Sequence, residues 1–236
     1  MSNKLKVWFS LWLLTAVMVS ANAQEQANNT LTDQEKADGW QLLFNGKDLT
    51  GWSGQNAAVP PECWTVADGE ITRSKSKKRG DIVTRELYGD FELTLEWKIA
   101  SGGNSGIFVR ANKKTLLWRN AIEMQVLDND EGKKADPHEL HSAGACYGLY
   151  PTDMKAFKGA GQWNKVRIRA EGKHMQFWFN AVKVADFEIG SDDWNKRYNK
   201  SKFKKYKDFA QATEGCIGLQ SHGSAVNYRN IKIKKL

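Results

Sequence analysis

Residues 120–130 read Asn-Ala-Ile-Glu-Met-Gln-Val-Leu-Asp-Asn-Asp, so Glu123, Gln125 and Asp128 follow one another at spacings of two and three. Two carboxyl groups can divide the roles of proton donor and acceptor, and an amide between them can hold a hydroxyl. Ile122, Met124 and Val126 alternate with Ala121, Glu123 and Gln125. If the first set packs inward, the second stands on the opposite, open face of a sheet. Strict alternation would turn Asp128 to the core side, where an unpaired carboxylate is costly. One β-bulge after Gln125 would return it to the open face.

The same count applied elsewhere adds polar groups to that face. Ile217 and Leu219 inward leave Cys216, Gln220 and His222 outward, and Ile107 and Val109 inward leave Phe108 and Arg110 outward. His174 and Trp178 follow by the same rule. A concave sheet lined by Arg, Gln, His, Glu and Trp suits a sugar, because hydroxyl groups need paired donors and acceptors while the C–H face of the ring stacks on an aromatic. His138 and His141 flank Glu139 after Asp136-Pro137. Their spacing of three could bring two imidazoles together on a turn, so a divalent metal ion such as zinc is chemically sensible, although no full ligand set is visible.

The elements that must position these groups are strands. Phe91, Leu93, Leu95, Trp97 and Ile99 alternate with Glu92, Thr94, Glu96 and Lys98, the two-residue period of a half-buried strand. The pattern recurs at 166–169, 175–179 and 231–234, with further short strands expected near 40–44, 63–67, 70–74, 82–86, 105–110, 120–127, 182–189 and 215–222. Turn signals separate them, and Asp68-Gly69 between two such runs marks a hairpin. Many short strands with almost no helical period predict an all-β protein, an antiparallel β-sandwich or jelly roll. Residues 192–208, basic with interleaved aromatics, break the pattern. They read as a long loop or one helical turn crossing the sandwich, anchored by Trp194, Phe203 and Phe209 with the lysines solvated.

Lys4 and Lys6, an apolar stretch from Val7 to Ser20 and the small-x-small Ala21-Asn22-Ala23 read as a signal peptide over residues 1–23. The stretch is shorter than the roughly 20 residues of a membrane-spanning helix, and no cysteine follows to carry a lipid. This predicts a periplasmic or secreted protein with no membrane insertion after cleavage. Residues 24–38 read as a flexible lead-in and 39–236 as one catalytic domain. Three cysteines imply no disulfide framework; Cys63 could pair with Cys216, but buried thiols are the simpler expectation. A net charge of +8, without zinc-finger, zipper or RNA-recognition patterns, does not point to nucleic acid.

The strings GWQLLFNGKDLTGW, SGIFVRA, IEMQVLD, GACYGLY, WNKVRIRAEG and GCIGLQSHGSAVNYRNIKIK, in this order, resemble the exported 3-keto-disaccharide hydrolase family, from about Gly39 to Lys235. The resemblance implies a concanavalin-like jelly roll related to family 16 glycoside hydrolases, acting on glycosides oxidised to a ketone at carbon 3. It also implies a link to a sugar 3-dehydrogenase that makes the ketone. Glu123-x-Gln125-x-x-Asp128 looks like the Glu-x-Asp-x-x-Glu strand of family 16 enzymes but departs from it at two of three positions. Ordinary retaining hydrolysis is thereby disfavoured, since Gln125 cannot supply the middle charge.

A 3-keto sugar needs less. Its carbonyl acidifies the proton on carbon 2, so a base can remove it, an electrophile can hold the enolate, and the group on carbon 1 can leave. On this resemblance Glu123 or His141 is the expected base and Asp128 a second acid/base. Arg110 or a bound cation would stabilise the enolate, with Gln125, Gln220, His222 and Tyr147 holding hydroxyls and Trp118 forming an aromatic wall. The rival expectation is a lectin-like carbohydrate-binding module without turnover, because one fold hosts both.

Overall fold

The structure, a computed structural model, describes residues 26–130 and 139–236. The expected signal peptide, residues 24 and 25, and His138 lie outside the described residues. In chain order the elements are α1 (Asp33–Ala37), β1 (Trp40–Leu42), β2 (Trp52–Gly54), β3 (Trp64–Ala67), β4 (Glu70–Arg73), β5 (Ile82–Thr84), β6 (Phe91–Ile99), β7 (Asn104–Ala111) and β8 (Ile122–Leu127). They continue with β9 (Asn164–Glu171), β10 (His174–Phe179), β11 (Val182–Glu188), α2 (Asp192–Lys200), β12 (Cys216–Leu219) and β13 (Val226–Lys235). Among the described residues the strands form two sheets. One runs β11-β10-β9-β6-β13-β4-β3, with β1 also paired to β13; the other runs β2-β5-β12-β7-β8. Every pairing is antiparallel, giving the expected jelly-roll sandwich.

The core lies between the sheets. Phe91, Leu93, Leu95, Trp97 and Ile99 of β6 are all within 1% of full burial, each contributing about 1.5–3 kcal/mol by leaving water. Ile107, Val109, Ile122, Met124, Val126, Ile217 and Leu219 meet them from the smaller sheet. The outer face of that sheet is not simply open. Val83, Phe108, Ala111, Leu117, Ala121 and Cys216 form a second apolar cluster there, with Trp118 against it. Polar groups are left only the remainder of the face.

Two expectations need correction. The lead-in is not loose where it is described. Thr32 and Glu35 form a reciprocal capping box on α1, the Glu35 carboxylate accepts from Lys232 Nζ at 2.7 and 2.9 Å, and Asn29 exchanges backbone-to-amide hydrogen bonds with Asn230. Polar composition hid this segment because its attachments are hydrogen bonds rather than apolar burial. Residues 192–208 are also more ordered than a loop with one turn. Ser191 caps the nine-residue α2, with Asp192 and Asp193 in its first turn and Arg197 and Lys200 in its last, matching the helix dipole. A 3-10 turn follows over Lys202–Lys205. The anticipated anchors hold it down: Trp194 stacks on Phe187 at 5.4 Å and Phe203 on Phe209 at 4.1 Å.

Strand β2 had no sequence signal of its own. It is held by Trp52, buried with its Nε1 donating to the Leu43 carbonyl at 2.7 Å. Asp68 and Gly69, both at positive φ, make the expected hairpin between β3 and β4. All three cysteines are free and buried. Among the described residues no helix is long and apolar enough to cross a membrane.

Candidate active site

The outer face of the five-stranded sheet carries a cavity of about 560 Å³. Glu123 and Gln125 from β8 form its floor, with Gln220 just beyond β12, and Trp118 and Tyr147 form one wall. Arg79, Asp81, Asn104, Ser221 and His222 lie around the rest, and Lys202 reaches in from the 3-10 turn. Of the residues expected from the sequence, Glu123, Gln125, Trp118, Tyr147, Gln220 and His222 therefore converge.

Glu123 is the chemical centre. The β7–β8 register sets Phe108 opposite Glu123 and Gly106 opposite Gln125. The Glu123 carboxyl leans over Gly106, where even a methyl group would overlap Oε1. Gln220 Nε2 donates to that same oxygen at 3.3 Å. Burial pushes the Glu123 carboxyl up to about 8; Lys202 pulls against this, and Asp81 adds to it. Lys202 shares the environment: burial lowers its pKa while Glu123 raises it. Its ammonium lies 4.3 Å from the centroid of the Tyr147 ring and 5.6 Å from that of Trp118, a favourable cation–π arrangement.

Two buried acceptors await donors. Gln125 gives its Nε2 proton to the His141 carbonyl at 3.2 Å. Its Oε1 and the Oε1 of Gln220 are buried without a hydrogen-bond partner among the described residues. An unmet buried acceptor costs roughly 1–3 kcal/mol, so hydroxyl groups of a ligand would be held strongly here.

A neighbouring network shapes the rim. Arg73 is fully buried and places all five of its donors. Nε meets Ser221 Oγ at 3.1 Å, Nη1 the carbonyls of Ser74 and Ser224, and Nη2 those of Ser76 and Lys78. It thereby fixes two loops, one leading to Arg79 and Asp81 and the other carrying Ser221 and His222. The Asp81 carboxylate accepts from the Ser221 N–H at 2.8 Å. Burial raises its pKa while that bond lowers it.

Three expected residues stand elsewhere. Asp128 is not in the cavity: no bulge follows Gln125, since β7 and β8 keep one register from Asn104↔Leu127 to Val109↔Ile122. Its carboxylate instead accepts from the N–H groups of Gly102 at 2.8 Å and Asp130 at 3.1 Å, closing a turn. Arg110 is also absent. The irregularity falls here rather than after Gln125, with Arg110 at φ +50° and a register shift between β7 and β12. The guanidinium is turned to the carbonyls of Gly89 and Gly172 and to Asp90 at 2.9 Å. His141 is exposed, its ring edge-on to Tyr147 at 4.9 Å, beside the cavity rather than lining it. Among the described residues no three His, Cys, Asp or Glu side chains group to hold a metal ion.

Lys202 and Asp81 were missed by the sequence reading. Lys202 sits among many lysines of the same segment, and its one distinguishing signal is its place beside the buried anchor Phe203. Asp81 had only its position just before β5.

The profile of the 3-keto-α-glucoside-1,2-lyase-like domain matches residues 39–234. The chain belongs to this family. A 3-keto-disaccharide hydrolase of Bacteroides thetaiotaomicron is 30% identical over 94% of this chain and 87% of its own. Two solved structures of candidate glycosyl hydrolases from Parabacteroides distasonis are also similar. One is 32% identical with a TM-score of 0.80, covering 89% of this chain and all of that one. The other is 31% identical with a TM-score of 0.68, covering 84% and 99%. This family member is accordingly an enzyme of the glycoside-cleaving class rather than a binding module. Within it, the cavity around Glu123 brings together a buried carboxyl, a lysine ammonium that is only partly screened from water and unmet amide oxygens.

Proposed function

We propose that this enzyme cleaves 3-keto-glycosides by elimination across carbons 1 and 2, with Glu123 as base and Lys202 as the enolate stabiliser. Glu123 carboxylate takes the proton from carbon 2, and the electron pair of that bond passes into the carbon 3 carbonyl as an enolate. Lys202 ammonium faces the developing oxyanion, an interaction of the kind worth ~3–4 kcal/mol per donor. Collapse of the enolate expels the oxygen on carbon 1 and leaves a double bond between carbons 1 and 2. Asp81, its pKa also raised by burial, supplies a proton to the departing oxygen. Water then adds at carbon 1 while carbon 2 regains a proton, so the sum is hydrolysis; release before hydration makes the same reaction a lyase.

The observation that carries this reading is the Glu123 carboxyl, raised to about 8 by burial next to an ammonium in an otherwise sugar-sized polar cavity. A base with a pKa near the working pH is suited to abstracting a weakly acidic proton. Gln125 and Gln220 would hold ring hydroxyls and Trp118 the face of a ring. The N-terminal pattern supports export, and the chemistry calls for a dehydrogenase that oxidises carbon 3 to supply the substrate. Purified protein incubated with a 3-keto-glucoside and with its unoxidised parent tests the reading: turnover of the ketone alone supports it. Equal cleavage of both would assign ordinary glycoside hydrolysis instead.

A further inference from the structure

Two cations line the cavity, Arg79 and Lys202, and each belongs to a basic segment. Three segments distant in sequence each contribute to its lining: 75–79 through Arg79, 113–119 through Leu116 and Trp118, and Lys202–Lys205 through Lys202. Lys or Arg fills four of the five positions in the first, three in the second and three in the third, and none of these segments contains Asp or Glu. Lys78 is neutralised by Glu62 at 2.7 Å. Arg79, Lys113, Lys114 and Lys204 are exposed and have no ion-pair partner among the described residues. The acids of the cavity itself are Glu123 and Asp81, which sit on its lining rather than on these basic segments.

One basic loop is ordinarily a solvated surface. Three that converge on one opening act differently: a cleft ringed by a single sign of charge concentrates ligands of the opposite sign.

We propose that the substrate is anionic: a 3-keto-glycoside whose leaving group carries a carboxylate or sulfate-type group, met at the rim by these cations. The inference rests on the 3-keto reading and narrows its substrate class. Arg79, on a loop fixed by Arg73, is the best placed single contact, since it lines the cavity itself.

The test compares 3-keto-glucosides of 4-nitrophenol, 3-carboxy-4-nitrophenol and 3-sulfo-4-nitrophenol, each as both anomers, followed through the released phenolate. At low ionic strength the anionic substrates are expected to show kcat/KM higher by ~10-fold or more. Salt near 1 M, where the screening length is about 3 Å, should bring the three toward parity. An Arg79→Ala variant should lower the ratio of anionic to neutral turnover. The two anionic arms tell which anion the rim prefers. Equal or faster turnover of the neutral substrate, or an advantage insensitive to salt, overturns the inference and leaves the 3-keto reading intact. Failure of all the ketones to turn over overturns both.

Discussion

The Glu123 carboxyl occupies the space that a side chain at residue 106 would fill. Gly106 is thus part of the site without having any functional group. Its lack of a Cβ lets a long acidic side chain fold down onto the sheet, out of water, where its pKa rises. The neighbouring Gln220 amide then fixes the oxygen nearest to it.

Gly106→Ala should therefore displace Glu123 while the sheet persists, because the backbone of residue 106 needs no unusual conformation. The expected outcome is a loss of kcat of ~10²-fold or more with the circular dichroism of the native fold. Retained kcat would show that the seat of the carboxyl over Gly106 is irrelevant to turnover.

Glu123→Gln keeps the shape and removes the proton chemistry. Turnover of a 3-keto-glucoside should fall by ~10²–10⁴-fold, while affinity for the ketone changes much less. Single-turnover kinetics with binding measured by calorimetry separates the two, and unchanged turnover removes Glu123 from the mechanism.

The same residue sets two pH dependences. As a base titrating near 8, Glu123 predicts a kcat/KM that rises with pH and levels above about 8. Stability runs the opposite way. The folded carboxyl holds its proton more tightly than the unfolded one, whose ordinary value is 4.5. Between about 4.5 and 8 the native state thus binds more protons, and stability falls as pH increases, by up to ~1.4 kcal/mol per unit. Denaturant melts of wild type and Glu123→Gln across this window should diverge in slope, and parallel curves would contradict the buried titration.

Lys202→Met should lower kcat by ~10²-fold or more through loss of oxyanion stabilisation. It should also move the rising limb of the kcat/KM profile to higher pH, because the Lys202 charge helps to hold the Glu123 pKa down. A lower kcat with an unmoved limb would leave Lys202 a structural role only.

Arg110→Ala and Asp128→Asn test the two residues that the fold assigns to other work. Arg110 ties the end of β7 to the Gly89-Asp90 turn and to Gly172, so its loss should cost about 3–5 kcal/mol of stability, read by denaturant melts. Asp128→Asn should cost ~1–2 kcal/mol through one weakened turn hydrogen bond. In both variants the kcat of the folded fraction should remain near wild type, and a hundredfold fall in Asp128→Asn would return that carboxyl to the chemistry.

The sheets were legible because a half-buried strand writes its burial into every second residue. The alternation of β6 and β8 identified which face of each strand was apolar, and the outward count at 123, 125 and 220 found the floor of the cavity. That count assumes an unbroken pleat. It failed at Arg110, where a positive φ turned the side chain away; at Asp128 the unbroken pleat persists, and the error was the bulge expected after Gln125. Irregularities of one residue depend on cross-strand packing and leave no mark in local periodicity.

The amino-acid order alone thus determined the strands, their inward faces, the family resemblance and the shared outward face of Glu123, Gln125 and Gln220. Only the tertiary structure decided which charges join it. Lys202 and Asp81 come from segments about 80 and 40 residues away in sequence, brought in by an aromatic stack and a buried arginine. Their electrostatic effect depends on distance through space and on exclusion of water, and neither is written in a linear pattern.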